Sequence, residues 1–360
     1  MPEIWLNYGK TEIVLDIRAE NLDQQLDSQG KSLNNSELEE KLDSLDFKKP
    51  MELVILNNSK SVQKTISAIF QKCEQKSYSK PKILADKTIL NHFKSLLPEG
   101  SLISEFGEQN LSNSNLVFVG EMEFDGLFGF ETISTRLIKK FGNDQMLTAY
   151  QQRKSDLPSP GEINNNIQIA KKFVDSFEIF GIELTANQNG IVDLSIGHPS
   201  STMELSKKFG ETAKKQVERH RTMMISTGKD GSNDTLRKSL SSLWNCSNAI
   251  KDNGLAVLLA ECKNGIGSEA IQQFIEGRMS LDRLRKPAKY VDGMEDLLFL
   301  TEIQKRFQIG IVSILPEFYT KKLNLVSFVG IKRAMDYILK IQGIKQKVAV
   351  VSDGARILLR

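Results

Sequence analysis

Short, wholly apolar runs recur along the chain, each ending in a polar or glycine-bearing turn and leading into an amphipathic stretch. The clearest is LAVLLA at 255–260, followed by Glu261-Cys262, then Gly265 and Gly267, then apolar residues at helical spacing as far as Met279. A run that short between turn signals reads as a buried strand, so the unit is strand, glycine turn, helix. The same unit recurs at 53–56 (LVIL), which ends in Asn57-Asn58-Ser59-Lys60 and precedes a helix on Val62, Ile66, Ile69 and Phe70. It recurs again at 82–85 before a helix around 90–97, at 116–119 before Gly120-Glu121, and at 223–226, where the loop 227–234 leads to a helix ending at Ala249. Strands at 309–315 and 348–351 suit the sheet of the last unit. Buried strands alternating with helices predict an α/β fold of mostly parallel sheets flanked by helices on both faces.

Other patterns punctuate this series. Residues 3–17 alternate around Tyr8-Gly9 and predict a hairpin, and 36–45 reads as a helix. Leu157-Pro158-Ser159-Pro160-Gly161 breaks the chain ahead of one long predicted helix over 163–179. A hairpin over 180–194 turns at 186–190, and 201–221 reads as a charged helix suited to joining two domains, 1–205 and 206–360. Loops at the carboxyl ends of parallel strands face the ligand crevice, which makes 261–268 the first site candidate. Its glycines would let backbone approach a ligand and its helix would offer N–H groups to an anion. The plainer alternative is a tight turn.

Composition narrows the choice of partner. At 360 residues, 40% hydrophobic and 26% charged, the chain has material for two globular domains. A net charge of +3 gives no electrostatic case for nucleic acid or an anionic membrane, and the cluster Arg278, Arg283, Arg285, Lys286 and Lys289 reads as a solvated face. There is no apolar run of 18 residues, and the opening stretch MPEIWLNYGKTEIVLDI is strand-like instead of signal-like, so a cytoplasmic location is expected. Cys73, Cys246 and Cys262 lack C-x-x-C spacing and suggest neither a disulfide framework nor zinc. Cys262, beside a predicted helix start, reads either as a nucleophile or as a small buried hydrophobe.

The order of these elements, with Tyr8-Gly9-Lys10, the stretch 116–130 (LVFVGEMEFDGLFGF) and the stretch 255–267, resembles the nickel-pincer lactate racemase family over nearly the whole chain. The resemblance implies two α/β domains with cofactor and substrate in the cleft between them. It also implies two histidine bases, a lysine that tethers the nickel-pincer nucleotide, a further histidine on nickel, and polar residues holding the substrate carboxylate. On this resemblance one histidine base falls on Asp125 and the other within 83–88, where Asp86 and Lys87 stand. The tethering lysine falls on Thr135, which cannot make the covalent link, with Lys139 or Lys140 the next candidates. The nickel ligand falls at Tyr150 or Gln151. Of the three histidines, His92 sits in a helix pattern, His198 in a loop, and His220 at a charged helix end.

The acidic and arginine pair of the family corresponds to Asn57 and Lys60, and its carboxylate-holding loop to 227–234, leading to Arg237 and Lys238. The resemblance therefore implies a diverged protein that keeps the fold and the cleft, carries no nickel-pincer cofactor and no metal, and binds a small hydroxy-acid-like anion. The expected ligand-binding residues are Asn57, Lys60, Arg136, Lys229, Arg237, Glu261, Gly265 and Gly267. The alternative is an isomerase or other enzyme on a small 2-hydroxy acid, with Asp86 and Asp125, and Glu261 beside them, as acid–base groups. The loops after Leu56, Gly120, Ser226 and Ala260 should then face one cleft.

Overall fold

The computed structural model describes residues 3–28, 30–93, 97, 100–108, 111, 115–229, 231 and 234–360. Two six-stranded sheets carry the molecule. The first runs Gly190–Gly197, Phe180–Asn187, Leu116–Glu121, Glu52–Ile55, Lys82–Ala85, Ile103–Glu105, parallel throughout except for the hairpin of its first two strands. The second runs Val326–Phe328, Gln308–Val312, Ile250–Leu259, His220–Ser226, Val348–Val351, Leu22–Leu26, and is parallel throughout. The central strands read as unbroken apolar runs because helices cover both of their faces: Leu116–Glu121 is buried at every position, as is Leu255 to Leu259.

The helices follow from the sequence in the same way. Lys60–Gln75 starts at Ser59, whose hydroxyl accepts the Val62 N–H at 3.2 Å, and it buries Val62, Ile66, Ile69, Phe70 and Cys73 against the first sheet. Leu236–Cys246 starts at Thr235 and buries Leu236, Leu240 and Leu243 in the largest apolar core. Among the described residues no helix is long and apolar enough to cross a membrane.

Strand order places the site. In the first sheet the chain moves outward from Glu52–Ile55 to Lys82–Ala85 and Ile103–Glu105, then returns to the other side of Glu52–Ile55 with Leu116–Glu121. The second sheet likewise moves outward from His220–Ser226 and returns beside it with Val348–Val351. Each reversal leaves a crevice where neighbouring loops diverge, and ligands of open α/β sheets bind at such points.

Several expectations change. The sheets do not divide the chain at one point. The hairpin of Glu3–Tyr8 with Thr11–Asp16 packs on the second sheet, and Leu22–Leu26 is that sheet's edge strand. The long helix expected over 163–179 is only Asn166–Val174. The charged helix expected over 201–221 stops at Ala213, because Lys214–Lys215 pairs with Leu358–Leu359 and Val217 N–H donates to the Arg360 carbonyl at 2.9 Å. His220 accordingly opens a strand, buried and 2.8 Å from Asp23, and sits at no helix end.

Candidate functional site

The reversal points of both sheets open into one cavity of about 570 Å³. Its walls include Leu56 to Ser59 and Glu121 to Gly126 from the first sheet, and Gly231, Asp234 and Thr235 from the second. Asn264 and Gly267, from the loop after Ala260, and Ala355 and Arg356, after the strand Val348–Val351, complete them. The four loops expected to share a cleft are thus brought together.

Helix Ile133–Phe141 supplies the first pair of cations. It begins with a reciprocal cap in which Thr132 N–H donates to the Thr135 hydroxyl at 2.7 Å and Thr135 N–H donates to the Thr132 hydroxyl at 3.3 Å. Glu183, on the neighbouring strand, accepts the Ile133 N–H at 3.0 Å. Arg136, one turn on, reaches Glu123 at 2.6 Å and Glu131 at 3.0 Å, and donates to the Glu121 carbonyl at 3.2 Å. Lys139 lies between Asp125 at 2.5 Å and Glu131 at 2.8 Å. Asp125 also accepts the Leu127 and Phe128 N–H groups, so the same carboxylate closes its own turn.

The second sheet supplies two more. Arg237 is enclosed by Asp292 at 2.7 Å, Asp296 at 2.9 Å and Glu295 at 3.1 Å, and Trp244 donates to Asp296 at 3.0 Å. Arg356 reaches across to Glu121 at 2.9 Å and back to Asp353 at 3.3 Å. Glu121 is 2% exposed. Its Oε2 and the Nε of Arg136 are buried without a hydrogen-bond partner among the described residues.

This density of charge perturbs the carboxylates. Burial raises Glu123 above the usual range against the pull of Arg136, with Glu131 and Glu121 adding to the rise. Burial also raises Asp296, and pushes Glu295 up to about 7 although Arg237 opposes it. For Glu131 burial acts in the same direction, but Arg136 and Lys139 outweigh it and hold the group well below the usual carboxylate range. Burial would depress the Lys139 ammonium, yet Asp125 and Glu131 overcome it and keep Lys139 above the lysine range.

The chain shares its fold with a lactate racemase. The apoprotein of the lactate racemase from Thermoanaerobacterium thermosaccharolyticum superposes with a TM-score of 0.73 at 16% identity, covering 100% of both chains. A Thermotoga maritima protein solved by structural genomics superposes with a TM-score of 0.66 at 10% identity, covering 93% of this chain and 100% of its own. No protein-family model and no curated protein matches the sequence.

Of the residues expected at the site, Asn57, Asp125, Arg136, Arg237 and Gly267 line the cavity. Asn57 is occupied in joining the loops: its side chain donates to the Glu121 carbonyl at 3.3 Å and accepts the Glu121 N–H at 3.0 Å. Lys60 is exposed on its helix, Lys229 pairs with Glu12, and Asp86 pairs with Lys140. Glu261 turns toward the hairpin, so close to Gly9 that a Cβ there would lie 2.0 Å from its Oε2.

The glycine turn also has an internal task. The carbonyls of Gly265 and Ile266 accept the Leu236 and Arg237 N–H groups at 2.9 and 3.0 Å, so the start of Leu236–Cys246 is already satisfied. Gly267, at φ +69°, packs where a Cβ would lie 2.5 Å from Thr235. Cys262 is 1% exposed, and burial pushes its thiol up to about 12, as befits a small buried hydrophobe.

The positions matched to the nickel chemistry are also accounted for. Thr135 is fully buried, with its hydroxyl donating to the Thr132 carbonyl at 3.0 Å. Tyr150 donates to the Leu284 carbonyl at 2.7 Å and Gln151 to Pro287 at 3.4 Å. His198 bonds Ser200 and the Phe177 carbonyl, at 2.9 and 3.2 Å. The His92 side chain, with Asp230, Ser232 and Asn233 of the 227–234 loop, lies outside the described residues. Among the described residues no three His, Cys, Asp or Glu groups converge as metal ligands.

Glu123, Glu131, Glu295, Asp296 and Arg356 line or support the cavity without being among the residues expected from sequence. The signals were modest: acids flanking Phe124-Asp125-Gly126, a Glu-Asp pair opening the apolar helix Met294–Ile303, and an arginine just after the last long strand.

Proposed function

We propose that this protein binds a small carboxylate-bearing ligand in the cavity between its sheets and does so without nickel-pincer racemase turnover. The observation that carries the reading is Arg136, a residue lining the cavity whose Nε is a buried donor without a partner among the described residues. A carboxylate oxygen is the acceptor that such a charged donor binds best. Lys238, exposed on the cavity wall, adds a cation. Arg237 is less suited than sequence suggests, since three carboxylates already surround it.

The residues present do not fit the nickel-pincer nucleotide. Thr135 is turned into its own helix cap. Lys139, which does line the cavity, is held protonated by two carboxylates and has no free lone pair to form a link. In this reading the chain divides near residue 205, residues 3–26 return to the second half, and the protein works in the cytoplasm. The test is thermal stability against a panel of small hydroxy, keto and amino acids, because a ligand of the native state raises its melting temperature. A panel that leaves the melting temperature unmoved removes the reading.

A second reading rests on the raised carboxyls of Glu123 and Asp296 in the cavity wall. Perturbed acids in a cavity are suited to proton transfer, which makes an isomerase on the same ligand class the alternative. Deuterium incorporation at the α-carbon of a bound hydroxy acid in heavy water, abolished by Glu123→Gln, would favour it.

A further inference from the structure

We propose that the carboxylate-bearing ligand of this cavity is an amino acid, with its ammonium group seated against Glu121 and its carboxylate at Arg136. The inference rests on the reading of the cavity as a small-carboxylate site and adds the second half of the ligand. It starts from charge. Among the described residues that line the cavity, five cations, Arg136, Lys139, Arg237, Lys238 and Arg356, stand against six carboxylates, Glu121, Glu123, Asp125, Glu131, Asp234 and Asp296, and Arg237 and Arg356 are drawn on further by Asp292, Glu295 and Asp353 just beyond it. A plain carboxylic acid would enter as one more anion in a region already short of positive charge. An amino acid enters with no net charge and places its cation where the deficit lies.

A second observation is independent of the charge count. Glu121 is 2% exposed, lines the cavity, and leaves its Oε2 without a partner among the described residues while Oε1 is held by Arg356. A buried carboxylate oxygen in that state is costly, and a donor in the cavity removes the cost. The unpartnered donor, Arg136 Nε, belongs to a residue whose Nη2 already donates to the Glu121 carbonyl at 3.2 Å. An orphaned acceptor and an orphaned donor on adjacent residues fit a ligand that carries an ammonium and a carboxylate close together. A hydroxyl would fill the first position without offsetting charge. A divalent cation would offset charge, but among the described residues no three ligating groups converge.

Calorimetric titration of the full chain with matched pairs, alanine against lactate, serine against glycerate, aspartate against malate, each enantiomer separately, reads the difference between ammonium and hydroxyl alone. The amino member of the best pair should bind at least about tenfold tighter, the gap between a charge-assisted and a neutral hydrogen bond. In Glu121→Gln that ratio should fall to within about twofold, since an amide offers no charge to the ammonium. A hydroxy member that binds as tightly as its amino partner overturns this inference alone, as does a Glu121→Gln protein that keeps the full ratio. No binding by any member overturns the small-carboxylate reading and this one with it. Because Glu121 also holds Arg356, the variant is first checked by thermal melting; if it does not fold, the wild-type ratios decide by themselves.

Discussion

Replacing Arg356 by methionine tests whether the two sheets are joined through a buried charge. The guanidinium contacts Glu121 at 2.9 and 3.1 Å, with side chains 14% and 3% exposed. Its removal takes the Arg356 charge from the buried carboxylates of Glu121 and Asp353, and breaking a buried pair on one side costs about 3–5 kcal/mol. Arg136 lies close enough to Glu121 to offset part of that loss, so a value near 3 kcal/mol is expected. In Glu121→Met/Arg356→Met the Glu121 carboxylate is gone as well while Asp353 still lacks the Arg356 charge, so the double variant should cost no more than Arg356→Met alone, about 2–3 kcal/mol. The pair would then show a coupling of at least about 2 kcal/mol over the double-mutant cycle. Equilibrium urea unfolding can be followed by circular dichroism and by fluorescence of Trp244, which is buried in the second sheet's core beside the cavity. Coincident transitions license the comparison. Additive single-variant losses would refute the reasoning.

Glu183 gives a pH test. Burial pushes its carboxyl up to about 8, so the folded protein keeps a proton that the unfolded chain releases near pH 4.3. Stability from this group is complete below the unfolded value and is lost as pH rises toward about 8; Glu183→Gln should remove that slope and gain on the order of 3 kcal/mol over wild type near pH 7.5. Melting curves of both proteins from acid to mild alkali read it, and a difference independent of pH contradicts it. Gly267→Ala should cost at least about 2 kcal/mol, since it combines a left-handed backbone with a clash against Thr235; a melting temperature within a degree or so of wild type would discard that packing argument. Expressed beside a working nickel-pincer synthesis system, the protein should show its unmodified intact mass, whereas an adduct mapping to Lys139 would show that two carboxylates do not prevent tethering.

The fold was largely legible because central parallel strands are buried on both faces and cannot hide: LVIL, LVFV and LAVLLA stand out from any polar background. The edge strand Leu22–Leu26 was not, since LDQQL carries three consecutive exposed polar residues that break the apolar run, which a strand at the sheet edge with a single neighbour tolerates. The helix expected over 201–221 failed for a related reason. Its continuation is decided by pairing with Leu358–Leu359, a contact more than a hundred residues away that no local pattern encodes. At the site, the loops were found but several roles were not. Arg237 and Lys229 were read as free cations because sequence shows a charge without its partners, and Asp292, Glu295, Asp296 and Glu12 arrive from elsewhere in the chain. Gly265 and Gly267 illustrate the same limit: they permit close approach, but what approaches is the helix of the neighbouring unit.

The central claim is that Arg136 receives a small carboxylate in the cavity, and calorimetric titration of wild type beside Arg136→Lys measures it most directly. Lysine keeps the charge that Glu123 and Glu131 require but lacks the Nε–H, so the fold should persist while the best ligand of the panel, expected at one site per chain, weakens by about tenfold or more. Unchanged affinity in a folded Arg136→Lys protein would contradict the account, and so would a wild type that binds no small carboxylate at all.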